Sequence, residues 1–154
     1  MTVKMSQIKK LRQETGAGVM DAKKALEEAK GDMKQAKKII QKKGLAKAAK
    51  KADRATGDGL IYAYVHHDGK SGAVVELACE TDFVARTDDF KTLAKELAMQ
   101  VTSMDPLDVK SFLDQPYIRD PKMTVKELVD GVIGKLGENI RLVRFTRMGL
   151  GEAA

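Results

Sequence analysis

The chain has 154 residues, 43% hydrophobic and 32% charged, with a formal charge of +6 and one cysteine. No apolar run reaches the ~18 residues of a membrane span, the N-terminal residues lack the apolar stretch of a secretory signal, and Cys79 alone closes no intramolecular disulfide. A single domain, or a small module with a core domain, in a reducing cytoplasmic setting is the expectation.

The charge is uneven. Residues 1–54 hold 16 Lys+Arg against 6 Asp+Glu, whereas residues 55–154 hold 12 against 16. A basic head on an acidic body predicts two modules, 1–54 and 55–154. The head is either a solvated face or a site for an acidic partner.

Residues 1–44 read as three short helices. The first carries Ile8 and Leu11 and runs to about Thr15, where Gly16-Ala17-Gly18 breaks it. The second spans about Met20 to Ala29, with Ala22, Ala25, Leu26 and Ala29 on one face. Gly31 ends it and Asp32 is placed to cap the third, which shows Met33, Ala36, Ile39 and Ile40 and is expected to stop at Gly44. Leu45 to Arg54 is rich in Ala and Lys with few large apolar residues, so it reads as a helical linker. Thr56-Gly57-Asp58-Gly59 marks the boundary.

The second module opens with a strand from Leu60 to His66, then a turn at His67–Gly72, then a strand from Ala73 to Cys79, an antiparallel hairpin. A short Thr81-Asp82-Phe83-Val84 corner follows. The chain has only seven Phe and Tyr, and one of them sits at this corner. Phe83 either caps the core or stands out as a wedge for a partner. Thr87 caps a long helix to about Met104, with Phe90, Leu93, Ala94, Leu97, Ala98 and Val101 at helical spacing. Residues 107–123 read as short and irregular. Thr124 and Glu127 form a capping box for a helix ending at Gly137, and Ile140 to Arg147 is a third strand. Gly149 to Ala154 are expected to fray. The fold class is α+β: a three-helix bundle, then a three-stranded antiparallel sheet with helices on one face.

Catalytic constellations are hard to assemble. Gly69-Lys70-Ser71 resembles the end of a phosphate-binding loop, but Tyr64 stands where that loop needs glycine. His66 and His67 are adjacent, so on a strand they face opposite sides and share no metal. Cys79 either fills the core or pairs with His66 as a nucleophile. No aromatic–basic platform for single-stranded nucleic acid is evident. No cofactor and no metal are expected, and binding is the favoured class of function.

Three stretches carry a resemblance. Leu11-Arg-Gln-Glu-Thr-Gly-Ala-Gly-Val-Met-Asp-Ala-Lys-Lys-Ala-Leu26, Glu80-Thr-Asp-Phe-Val-Ala-Arg86, and Gly137-Glu-Asn-Ile-Arg141 followed by Phe145 resemble, in order, the signatures of the bacterial translation elongation factor Ts family. The resemblance implies a ubiquitin-associated-like bundle before an α+β core, and guanine-nucleotide exchange on elongation factor Tu by binding rather than covalent chemistry. It implies that Thr81, Asp82, Phe83 and Val84 meet the partner's GTPase domain. Arg12, Val19 and Met20 match N-terminal contacts of the family, and Met99 and Gln100 complete the implied partner surface. Gln100 stands where members often have His. Long members carry two core subdomains and an inserted helical hairpin, for which residues 105–123 are too short. The expected compensation is an isologous homodimer. Neither a membrane nor direct nucleic-acid contact is expected. A basic RNA-binding or ribosome-associated protein without exchange activity is the alternative.

Overall fold

The computed structural model describes residues 2–154. Helices α1 (Met5–Thr15), α2 (Val19–Glu28) and α3 (Met33–Lys51) come first. Strands β1 (Asp58–Val65) and β2 (Ser71–Cys79) follow, then α4 (Asp82–Ala85), α5 (Asp88–Met104) and α6 (Val109–Asp114). A short hairpin of β3 (Pro116–Tyr117) and β4 (Asp120–Thr124), helix α7 (Val125–Leu136) and strand β5 (Ile140–Gly149) complete the order.

The bundle forms as its periodicity dictates. Ile8, Leu11, Ala22, Ala25, Leu26, Ala29 and Ala36 make one buried cluster. Asp32 caps α3 by accepting from the Lys34 and Gln35 amides at 2.8 and 3.0 Å. Helix α3 departs from expectation, because it does not stop at Gly44 and no separate linker helix follows. It runs unbroken for 19 residues, and Ala48 belongs to the core cluster of the sheet. Gly44 is there for proximity, not termination. It lies where α3 crosses α7, and a Cβ built on Gly134 would come within 2.8 Å of the Gly44 Cα.

The three-stranded sheet has order β1-β2-β5 and is antiparallel throughout. The last strand therefore pairs with β2, which becomes the central strand. Ala73, Val75, Leu77 and Cys79 of β2 face the core with Phe90, Leu93, Leu97 and Val101 of α5. A bulge opposite Glu76/Leu77 shifts the register of β5, so Leu77 meets Leu142 and Val75 meets Phe145. Leu142 and Phe145 are three residues apart and would face opposite ways on a regular strand. The extra residue brings both to the core, where Phe145 meets Phe112 edge-on at 5.6 Å.

Residues 107–123, expected to be irregular, form α6 and the β3–β4 hairpin. Asp108 and Ser111 cap α6 reciprocally, and Phe112 is fully buried. At α7 only half of the expected box forms: Thr124 accepts from the Glu127 amide, while the Glu127 carboxylate accepts from Gln41 of α3. The end of β5 is also tied down further than expected, since the Leu150 amide reaches the Lys70 carbonyl at 2.8 Å and Arg147 pairs with Glu152.

Candidate functional site

The corner after β2 is a capped single turn of helix. Thr81 is its N-cap, with its hydroxyl accepting from the Val84 amide at 3.4 Å. Val84 and Ala85 turn inward and are buried, which leaves Phe83 pointing out, 78% exposed. The core-cap reading of Phe83 is excluded by that exposure. Asp82 pairs with Arg86 one turn on, at 3.1 Å, with both side chains exposed.

What holds the corner was not read from the sequence. Glu138 accepts the amides of Glu80 and Thr81 at 3.1 and 3.0 Å on one carboxylate oxygen, and the Thr81 hydroxyl at 2.7 Å on the other. Glu80 reciprocates by accepting the Asn139 amide at 2.8 Å. Asn139, itself buried, donates its side-chain amide to the carbonyls of Ala52 and Arg54. The end of α3, the Glu80–Arg86 stretch and the Gly137–Arg141 stretch therefore meet in one hydrogen-bonded knot. A carboxylate accepting several N–H and O–H groups gives strong, charge-assisted bonds. The sequence signal for Glu138 is its place inside the Gly137–Arg141 stretch that carries the resemblance.

Cys79 lies beneath the knot, 0% exposed, with its thiol donating to the Thr81 carbonyl at 3.1 Å. Burial first, and the nearby Glu138 carboxylate second, push that thiol up to about 11. It stays protonated near neutrality and is a poor nucleophile. The Cys79–His66 pair is also ruled out by register. Cys79 pairs with Asp58 at one end of the hairpin, and His66 follows Val65 at the other, roughly 26 Å away at strand rise. His66 instead meets the Tyr64 hydroxyl at 2.8 Å. Among the described residues no group of His, Cys, Asp or Glu is arranged to hold a metal.

A second patch forms at the α1–α2 corner. Gly16 adopts a left-handed φ of 71° and caps α1. Arg12 reaches back to the Ala17 carbonyl at 3.3 Å, and Val19 and Met20 stand exposed beside it. Lys135 of α7 lies over Gly16 where any Cβ would collide with it, and its ammonium meets Asp89 of α5 at 2.9 Å. This bridge ties the α1–α2 corner to the first turn of α5, which begins just after the Phe83 corner. Between bundle and core lies an open groove of about 900 Å³, lined by residues that include Gly16, Asp21, Lys47, Leu93 and Lys135.

Met99 and Gln100 are not part of either patch. They lie three turns along α5 from its start, roughly 17 Å away at helical rise. Met99 is half-buried beside a hollow of about 110 Å³. Gln100 is only 2% exposed. Its amide donates to the Pro116 carbonyl at 3.0 Å and accepts from the Ile118 amide at 3.1 Å, so it holds the β3–β4 hairpin on α5. Next to it Glu96 binds the Tyr117 hydroxyl and Arg119, each at 2.8 Å; burial, then the Glu96 hydrogen bond, push the phenol up to about 12.

The comparisons with known proteins agree with one another. A family model described as "Elongation factor TS" matches residues 80–154. Elongation factor Ts of Thermotoga maritima is 44% identical over 195 aligned positions, covering 99% of this chain and 98% of that one. Those 195 positions exceed the 154 residues here by 41, so that relative has at least that many without a counterpart. Elongation factor Ts of Fervidobacterium nodosum is 42% identical over 99% of this chain and 100% of its own length. That of Aquifex aeolicus is 50% identical over 96% of this chain but 52% of its own length. With identity this high along nearly the whole of both chains, this protein belongs to the elongation factor Ts family.

Proposed function

We propose that the chain opens elongation factor Tu with Phe83 as a wedge, while Arg12, Val19 and Met20 grip a second place on the same partner. Membership of the family makes the chain a guanine-nucleotide exchange factor for elongation factor Tu in translation elongation. The observation that carries the wedge is the 78% exposure of Phe83 on a corner whose other apolar residues are buried. Thr81 and Val84 serve as its mount, with Glu138 as the clamp beneath.

The chain does this by binding, with no covalent step. GDP is held in such GTPases by backbone amides around the phosphates and by Mg²⁺. A protein that binds the nucleotide-free form better than the GDP form weakens GDP by the same factor. Burying a phenylalanine ring contributes about 1.5–3 kcal/mol. A thousandfold faster release needs a barrier lower by about 4 kcal/mol, so the ring supplies a large part and the second patch the remainder. A corner ordered before binding loses little entropy on docking. Asp82 lies beside the ring and is engaged by Arg86 on the surface, so it is available to exchange that partner for a polar group of elongation factor Tu.

Release of fluorescent GDP from elongation factor Tu tests this. Phe83→Ala is expected to leave the fold intact and to cut the stimulated rate at least tenfold, about 1.4 kcal/mol. Full stimulation by a correctly folded Phe83→Ala chain defeats the wedge.

A homodimer belongs to the same reading. The outer face of the sheet carries Ile61, Val65, Val74 and Met148, all exposed, in neighbouring register positions. Such a contiguous apolar face marks an interaction surface, and a second copy of this chain is the proposed occupant. Sedimentation velocity checks it: the wild type should run as a dimer and Val65→Lys as a monomer. A monomeric wild type removes the dimer and leaves the wedge untouched.

A further inference from the structure

We propose that the exposed face of α3 is a docking surface for the phosphate backbone of double-stranded RNA. This reverses the expectation of no nucleic-acid contact. Lys34, Lys38 and Lys42 follow one another at four-residue steps, each turned about 40° from the last, so they share an arc of about 80°; Lys50 lies farther round the helix. All four are exposed. Ala36 and Gly44, turned away from this row, lie on the side that packs. Steps of four residues space the ammonium groups about 6 Å apart along a rigid rod.

Among the described residues no acid pairs with this row. Five of the six acids in residues 1–54 are engaged elsewhere: Glu14 with Lys37, Asp21 with Lys47, Glu27 with Lys23, Glu28 with Lys43, and Asp32 as the cap of α3. Lys34, Lys38, Lys42 and Lys50 take part in no ion pair among the described residues. The stripe is thus a solvated line of positive charge rather than one side of an internal salt-bridge lattice.

The residue types choose the ligand. Residues 1–54 hold 14 Lys and only two Arg, Arg12 and Arg54. Lysine binds phosphate as a point charge, whereas planar recognition of carboxylates or base edges favours arginine. No Phe, Tyr, Trp or His occurs before Tyr62. Single strands are held by stacking bases on aromatic rings, and that device is missing here. An inclined lysine row without aromatics suits a duplex, whose backbone is regular and whose bases are already stacked. An RNA duplex is read by shape and backbone in this way.

The experiment uses the full chain and a fluorophore-labelled RNA duplex of about 20 base pairs, with binding followed against salt. Each phosphate contact contributes about 0.9 to the log–log salt slope. The triple variant Lys34→Gln, Lys38→Gln, Lys42→Gln should lower the slope by about 2.7. Between about 50 and 200 mM salt the wild type should then lose about 40-fold more affinity than the variant. The control Lys91→Gln, Lys95→Gln, Lys110→Gln removes the same charge from the body and should leave the slope unchanged. Stimulated GDP release and far-ultraviolet circular dichroism should be unaltered in both variants. An unchanged slope in the α3 variant, or an equal drop in the control, overturns the proposal. So does tighter binding to a DNA duplex of the same sequence, to a single strand of the same length, to polyglutamate, or to vesicles containing phosphatidylserine. Because exchange is read separately, failure here is distinguishable from failure of the wedge.

Discussion

Gly134→Ala tests how α3 is held against α7. An ideal Cβ on Gly134 lies 2.8 Å from the Gly44 Cα, on backbone with no side chain to swing aside. Ordinary carbon contacts sit at about 3.5–4.0 Å, so α3 and α7 must part by roughly 1 Å. Overpacking of this kind costs about 1–3 kcal/mol, and the better helix propensity of alanine offsets about 1 kcal/mol of it. The net expectation is a loss of about 0–2 kcal/mol. Gly44→Ala is the matched control at the same crossing. Its Cβ would sit 3.8 Å from the Gly131 Cα, an ordinary contact. That variant should be neutral or more stable by up to about 1 kcal/mol. The two variants should therefore differ by about 1–3 kcal/mol in urea unfolding, and by roughly 2–4 °C in Tm per kcal/mol. Gly134→Ala should also raise the concentration needed for half-maximal GDP release, because it moves the Arg12–Val19–Met20 patch relative to Phe83. Equal stability of the two variants, or a worse Gly44→Ala, refutes the crossing as the point of closest approach.

Three other outcomes follow from the site. Glu138→Gln keeps the size but replaces one accepting oxygen with a donor, so the Thr81 clamp loosens; stimulated GDP release should fall about tenfold, roughly 1.4 kcal/mol, with a smaller fractional change in Tm. Gln100→Ala strands the Ile118 amide and the Pro116 carbonyl and should destabilise the chain by about 1–3 kcal/mol, read by urea unfolding, with little effect on exchange beyond the stability loss. Cys79 binds its proton more tightly when folded, so it adds nothing to the pH dependence of stability below its unfolded value. Stability is lost as pH rises from about 9 through about 11. Cys79→Ala should flatten the stability–pH curve in that window, and an unchanged curve rejects the raised thiol.

The local elements were legible in the residues because their causes are local. The apolar spacing of α5 and α7, the caps at Asp32, Thr87 and Thr124, and the glycines at 16 and 137 each act over one turn. So does the alternation of β2, whose buried face matches its pattern. The exposed residues Arg12, Val19, Met20 and Phe83 stand in the stretches that carry the family resemblance, since no periodicity marks a side chain that packs into no core.

Tertiary structure decided the rest. Gly44 reads as a helix end by composition, and becomes a crossing point only because α7 arrives 90 residues later with Gly134. Leu45 to Arg54 reads as a linker because its partners, Asn139 and the sheet core, are distant in sequence. The bulge that turns Phe145 inward exists only against β2. Gln100 reads as a surface position until the hairpin at Pro116–Ile118 covers it. Whether Phe83 faces the core or the solvent was likewise open in the sequence. It was settled by Val84 and Ala85, which fill the available space beneath, and by Glu138, which holds the turn from the far side of the fold. Sequence alone determined most of the elements, because propensity and capping are short-range; long-range contacts extended α3, shaped α6 and the β3–β4 hairpin, and determined which side chains remain free to meet another molecule.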